Sequence, residues 1–354
     1  MNITQAEVKK LLSNKRKLAF RNSGEFKILF FSDFHSNWKK NPDPRTYQAI
    51  ERMIEDKQPD LVYLLGDLPG GPTNRKEALA MLSELTKPMD KRNIPWTMVF
   101  GNHDDSICRG YTMDKIERLL RTGCPGCLIK NAKGIHGFSN HVLPIYYSEG
   151  SDKIALNLFG LDAGRDISAM NTDYNLRKDI IEYLSEPVVL RARRRFDIVR
   201  FDQIMWYWHV SEAIEKLNGP TPALMMTHSG LGETKILEEF PENLGVVGEF
   251  GEEVKVGAIN SGLFAAGLQR GDIIGFYYGH NHINIAEGSY CGIRFGYVGS
   301  IGYNAYGMKR AMSDREKNRL RGARLLTINR DDILNYKSEF ISANDYVAPV
   351  IEVN

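Results

Sequence analysis

The chain has 354 residues, 42% of them hydrophobic and 25% charged, which is the balance of a globular protein with a large core rather than a disordered or fibrous one. Lys and Arg (46) against Asp and Glu (44) leave a net charge of +2. That gives no footprint for general nucleic-acid or membrane-surface binding, and no uncharged apolar run reaches the ~18 residues that span a bilayer.

The first residues, MNITQAEVKKLLSNKRKLAF, lack an apolar segment followed by a small-residue cleavage site. Four cysteines, Cys108, Cys124, Cys127 and Cys291, are too few for a disulfide scaffold, so a cytoplasmic protein is expected. Val8, Leu11 and Leu12 recur at helical spacing before NSGEF breaks the pattern, and residues 1–24 read as an N-terminal helical extension. One domain, residues 25–354, is expected to follow, because no repeat, low-complexity linker or composition shift marks a further boundary.

Strand-like and helix-like segments then alternate. FKILFF (26–31) reads as a strand, PRTYQAIERMIEDK (44–57) as a helix with Tyr47, Ile50 and Ile54 on one face, and LVYLL (61–65) as the next strand. RKEALAMLSELTK continues as a helix and residues 94–100 as a strand. Later strands are expected at 153–162, 222–227 and 272–278, with a long aromatic-striped helix at 201–217 that reads as core packing, and a closing strand pair from 322 onward.

Chemistry collects where these strands end. Asp33 and His35 follow the first, Asp67 the second, Asn102 and His103 the third, His228 a later one, and His280 and His282 the last, in YYGHNHINI. An extended backbone would turn residues two apart to the same side, so His280 and His282 could converge on one spot. The carboxyl ends of strands are where open α/β sheets place their ligand crevice. Mixed nitrogen and oxygen donors suit Zn, Mn or Fe rather than Ca or Mg. Even with one of these eight left unbound, the candidate ligands are too many for one ion, and a carboxylate such as Asp67 can bridge two. Gly66, Gly101 and Gly279 each precede a ligand, where close backbone approach needs a missing Cβ.

The ordered blocks DFH, GDLP, GNHD, THSG and GHNH, spread over residues 33–282, resemble the signature of the calcineurin-like metallophosphoesterases. FGLDAG, DQIMW, NSGLF, YCGIRFGY and RGARLLTI are similar, more loosely, to the smaller non-secreted purple acid phosphatase-like proteins of that family. The resemblance implies a two-sheet α/β sandwich flanked by helices. It also implies two divalent ions (Mn, Fe, Zn or similar), one held by Asp33, His35, Asp67 and His282, the other by Asp67, Asn102, His228 and His280. His103 is then a general acid facing the phosphate, and Asp104 a partner that orients His103.

The activity so implied is hydrolysis of phosphate monoesters or diesters of small phosphorylated substrates, by attack of a hydroxide bridging the two ions. Alternatives are a nuclease of the same fold, which the near-neutral charge disfavours, and a non-catalytic metal-binding scaffold. Purple enzymes carry a Tyr three residues after the bridging Asp; here that position is Gly70, so no tyrosinate-bound ferric ion is expected.

Other signals are weaker. CPGC (124–127) has the CxxC spacing of a zinc or redox pair, but only His136 and His141 lie nearby, and a simple turn reads better. His141 is a candidate for the substrate side. Arg191, Arg193, Arg194, Arg195 and Arg200 form either a phosphate-recognising cluster or a solvated face. The segments 163–200 and 229–271 are expected to build the pocket wall, with GEFGEEV and GYNAYG as its contributors.

Overall fold

The computed structural model describes residues 3–40, 42–167, 177–185 and 196–348. Its strands are β1 (Leu18–Ala19), β2 (Glu25–Phe31), β3 (Leu61–Leu64), β4 (Trp96–Met98), β5 (His141–Tyr146), β6 (Ile154–Gly160), β7 (Ala223–Thr227), β8 (Ile273–Tyr278), β9 (Glu287–Tyr290), β10 (Ile293–Tyr297), β11 (Gly322–Asn329) and β12 (Asp332–Ser342). They form a seven-stranded sheet in the order β1-β5-β6-β7-β8-β10-β9 and a five-stranded sheet in the order β12-β11-β2-β3-β4. Both sheets are mixed: β2, β3 and β4 run parallel, as do β6, β7 and β8, while β11 is antiparallel to β2 and β5 to β6.

The two sheets face each other across a core that includes Phe30, Tyr63, Leu143, Leu158, Met226 and Tyr277. Each is covered on its other side by helices. Helices α2 (Pro44–Lys57), α3 (Arg75–Lys91) and α4 (Met113–Gly123) close over the five-stranded sheet, and α1 (Gln5–Leu12), α5 (Phe201–Asn218) and α6 (Leu263–Arg270) over the seven-stranded one. This is the expected two-sheet sandwich flanked by helices. Being covered on both faces explains why strands such as LVYL are apolar throughout rather than alternating.

Helix α2 illustrates the local logic. Asp43 accepts the Arg45 N–H as N-cap, Pro44 presets the first turn, and Ala49, Ile50, Met53 and Ile54 recur at three- and four-residue spacing as the buried face. Gln58, left-handed at φ 47°, ends it. The segment expected as a helical extension contains α1, whose Val8 and Leu12 are buried in the same cluster as α5, and then β1, which pairs with β5.

Candidate metal centre

Every predicted ligand lies on one rim, just past the carboxyl ends of β2, β3, β4, β7 and β8. Because β2, β3 and β4 belong to one sheet and β7 and β8 to the other, the centre straddles the sandwich. Backbone hydrogen bonds join neighbouring loops within each sheet. Asp33 N–H donates to Gly66 O (3.1 Å), Phe34 N–H to Asp67 O (2.8 Å), and Gly279 N–H to His228 O (3.0 Å).

The chain does not remain extended through these ligands. Asp33 (φ 55°), His35 (φ 45°), Asp67 (φ 55°) and His280 (φ 66°) are all left-handed, a conformation that costs a non-glycine residue ~1 kcal/mol or more. This corrects the expectation for His280 and His282: they converge through a turn after β8 ends at Tyr278, not through strand alternation. The strain concentrates at the ligands. Gly66 (φ 93°) sits so close to Gly101 that a Cβ would lie 2.5 Å from its backbone N, as the expectation of tight approach before Asp67 requires.

Each carboxylate has one oxygen anchored and one presented. Asp33 Oδ2 accepts Ser32 Oγ–H (2.6 Å) and His280 N–H (2.8 Å), while its Oδ1 is buried with no hydrogen-bond partner and lies 3.4 Å from His35 Nε2 and 3.3 Å from His282 Nε2. Asp67 Oδ1 accepts His103 N–H (2.8 Å), and its Oδ2 lies 3.2 Å from His35 Nε2 and 3.4 Å from His228 Nε2. Asn102 Oδ1 is 3.1 Å from both His228 Nε2 and His280 Nδ1. His228 is oriented by its other nitrogen, which donates to Leu65 O (2.6 Å).

These approaches join Asp33 to His35 and His282, Asp67 to His35 and His228, and Asn102 to His228 and His280, so Asp67 touches both sides of the cluster. Asp33, His35 and His282 form a group able to hold an ion, and so do Asp33, Asp67 and His228. The buried, unpartnered Asp33 Oδ1 and His35 Nε2 have the unfilled valence a cation would satisfy.

Electrostatics agree. Burial opposes ionisation of Asp33 and Asp67, yet His282 and His35 beside the first, and His228 and His35 beside the second, overcome it and hold both carboxyls below the ordinary range. Conversely burial opposes charge on His35 and His228, but the two carboxylates lift them to about 10 and about 9. Burial and the nearby His228 push His280 down to about 3. Carboxylates that attract protons onto neighbouring imidazoles attract metal cations in the same way, and binding releases those protons.

His103 is exposed on this rim, its ring 5.2 Å from that of His35, and it groups with His35 and Asp67. Asp104 departs from expectation. Its oxygens accept the backbone N–H groups of Asp67 (3.1 Å), Leu68 (2.8 Å) and Gly101 (2.6 Å), so it fixes the loops carrying Asp67 and Asn102 rather than the His103 ring. Burial, reinforced by the Asp67 charge, raises it to about 7.

A 740 Å³ cavity opens on the centre, walled by Phe196, Glu252, Lys255, Tyr306 and Lys309 as well as every proposed ligand but Asp33 and His228. Both GEFGEEV and GYNAYG thus reach it, as expected of the pocket wall. His141 does not: it is buried at the start of β5, with Nδ1 2.7 Å from Ser139 O and Nε2 2.9 Å from the Tyr63 hydroxyl. Cys124 and Cys127 lie in a buried turn closed by Cys127 N–H to Cys124 O. Of the arginine cluster, Arg200 is buried against Asp197 (2.8 Å), and residues 191–195 lie outside the described residues. At Gly70 a side chain would collide with Ser106.

Residues 26–284 match the family model of the calcineurin-like phosphoesterases. Two Arabidopsis thaliana proteins are similar over most of the chain. "Probable inactive purple acid phosphatase 29" is 28% identical, spanning 83% of this chain and 76% of its own length, and "Probable inactive purple acid phosphatase 14" is 27% identical, spanning 83% and 74%. The fold is shared with the crystal structure of a dimetal phosphatase from Danio rerio (TM-score 0.52, 12% identity, 90% of this chain and 99% of that one). No helix among the described residues is long and apolar enough to cross a membrane.

Proposed function

The chain belongs to the calcineurin-like phosphoesterase family, and we propose that it is a two-metal hydrolase of small phosphate monoesters or diesters. The observation that carries this is the Asp67 carboxylate, whose single free oxygen lies between His35 and His228 at 3.2 and 3.4 Å. Asp33, His35 and His282 would hold one ion, Asn102, His228 and His280 the other, and Asp67 would serve both. Mixed imidazole, amide and carboxylate donors suit Mn, Fe(II) or Zn. When bound, such a pair acidifies water to a nucleophile and neutralises phosphate charge.

The chain's own residues do the rest. Asp104 fixes the loops that present Asp67 and Asn102. His103, exposed at the cavity and tied through its backbone N–H to Asp67, gives its imidazole proton to the departing oxygen. The open cavity leaves space for a leaving group beyond the phosphate.

A second reading has its own observation: the two Arabidopsis relatives carry "inactive" in their names, and a scaffold that holds ions without turnover would fit that. Against it stands the intact donor set, with His103 in place. The test strips the protein with chelator, reloads it with manganese or zinc, and measures phosphate release from an alkyl monoester, a diester, a cyclic nucleotide and single-stranded DNA. Turnover lost with the metal and restored by it supports a hydrolase. Two bound ions with no turnover supports the scaffold, and cleavage of DNA alone a nuclease.

A further inference from the structure

The ligand histidines are steadied in different ways: His280 has a buried Nε2 without a hydrogen-bond partner and meets the Phe196 ring edge-on at 4.2 Å. His228 is fixed by a hydrogen bond from its far nitrogen to Leu65 O (2.6 Å). His282 has no such anchor, since its Nδ1 is buried without a hydrogen-bond partner while Nε2 faces Asp33. An imidazole held at one end only is free to swing, and ligands of this kind are commonly steadied by a neighbour.

The neighbour here is an aromatic face. The Tyr306 ring lies 4.1 Å from that of His282, the planes 25° apart, and the His35 ring is 4.5 Å away, so His282 packs against two rings. Tyr306 is itself tethered. Its hydroxyl donates to the Glu252 carboxylate at 2.8 Å and accepts from Lys255 Nζ at 3.0 Å, and Lys255 pairs with Glu252 at 2.5 Å. These groups come from two loops: Glu252 and Lys255 precede α6, and Tyr306 follows β10.

We infer that Tyr306 is a positioning residue for one ion only, holding the His282 imidazole by stacking, with Glu252 and Lys255 as the clamp that keeps the ring in place. This rests on the two-ion reading above. The other ion, whose His228 has its own hydrogen bond and whose His280 lies against Phe196 rather than Tyr306, does not depend on it.

Titration calorimetry of the chelator-stripped protein with manganese tests the asymmetry. Tyr306→Ala should weaken one of the two binding steps about tenfold, the usual cost of losing a ligand's support, and leave the other within about twofold. Tyr306→Phe, which keeps the face and loses the tether, should fall between wild type and Tyr306→Ala, and so should Glu252→Gln, which also serves if Tyr306→Ala folds poorly. Equal weakening of both steps, no change in either, or a Phe variant as weak as the Ala variant would overturn the inference. A wild type that binds fewer than two manganese ions would instead sink the two-ion reading, and this inference with it.

Discussion

Two buried histidine environments sit in the same sandwich and are opposites. Between the sheets, His141 has both ring nitrogens occupied, by Ser139 O and the Tyr63 hydroxyl, and burial pushes it down to about 4, so it is neutral. At the rim, His228 is buried too and His35 half-buried, but Asp33 and Asp67 beside them lift them to about 9 and about 10. Burial alone therefore does not mark a functional histidine. Unfilled valence next to a carboxylate does, and His35 Nε2 has it.

The sharpest way to break this contrast is His103→Ala. If His103 is the proton donor of the rim, the variant keeps both ions and loses on the order of 10² to 10⁴ in kcat on alkyl phosphate esters, and less on a p-nitrophenyl ester whose leaving group needs no proton. Equal losses on the two would mean charge stabilisation alone. Asp104→Ala should act on stability instead: it leaves the buried N–H groups of Asp67, Leu68 and Gly101 without their acceptor, a loss of about 3 kcal/mol or more in urea unfolding. Asp105→Ala beside it, which removes only a half-exposed pair with Arg165, should cost no more than about 1 kcal/mol.

His141 sharpens the other side through pH. Its folded value of about 4 lies below the ~6.5 of an unfolded histidine, so the unfolded chain takes up the proton first. Stability should fall as pH drops from 6.5 to 4, by on the order of 3 kcal/mol from this group, and no further below that. His141→Gln should lose that part of the slope; identical slopes would show that His141 is not held neutral. The smallest expected signal is optical. With Gly70 against Ser106 where purple enzymes have tyrosine, air-oxidised protein should show no tyrosinate-to-iron absorption band, which a visible scan checks.

Ligand identity was legible in the sequence because side-chain type and order along the chain survive folding. All seven proposed ligands meet at one rim, and the sandwich is the expected one. Backbone conformation was less legible: four ligand positions are left-handed, which no residue type among Asp and His announces, so the two-residue spacing in GHNH suggested an extended strand where the chain turns. Strand β5 escaped notice because Pro144 breaks a strand pattern; it is tolerated where the neighbouring β1 pairs only with Ile145 and Tyr146. The hairpin of β9 and β10 was obscured by Gly288 and Gly296, each packed against a side chain that leaves no space for a Cβ. Sequence sets Asp104 beside His103, whereas two of the three backbone N–H groups its carboxylate accepts, those of Asp67 and Leu68, come from a loop brought near only by the fold.

The measurement that bears most directly on the shared centre is the metal content of Asp67→Asn. Its Oδ2 lies between His35 and His228, so an amide there removes the negative charge common to both ions. Elemental analysis of the purified, manganese-loaded variant should find both ions lost together, against two per chain in the wild type. Near-normal content of both, with the variant folded, would contradict a bridging Asp67 and with it the two-metal centre proposed for this chain.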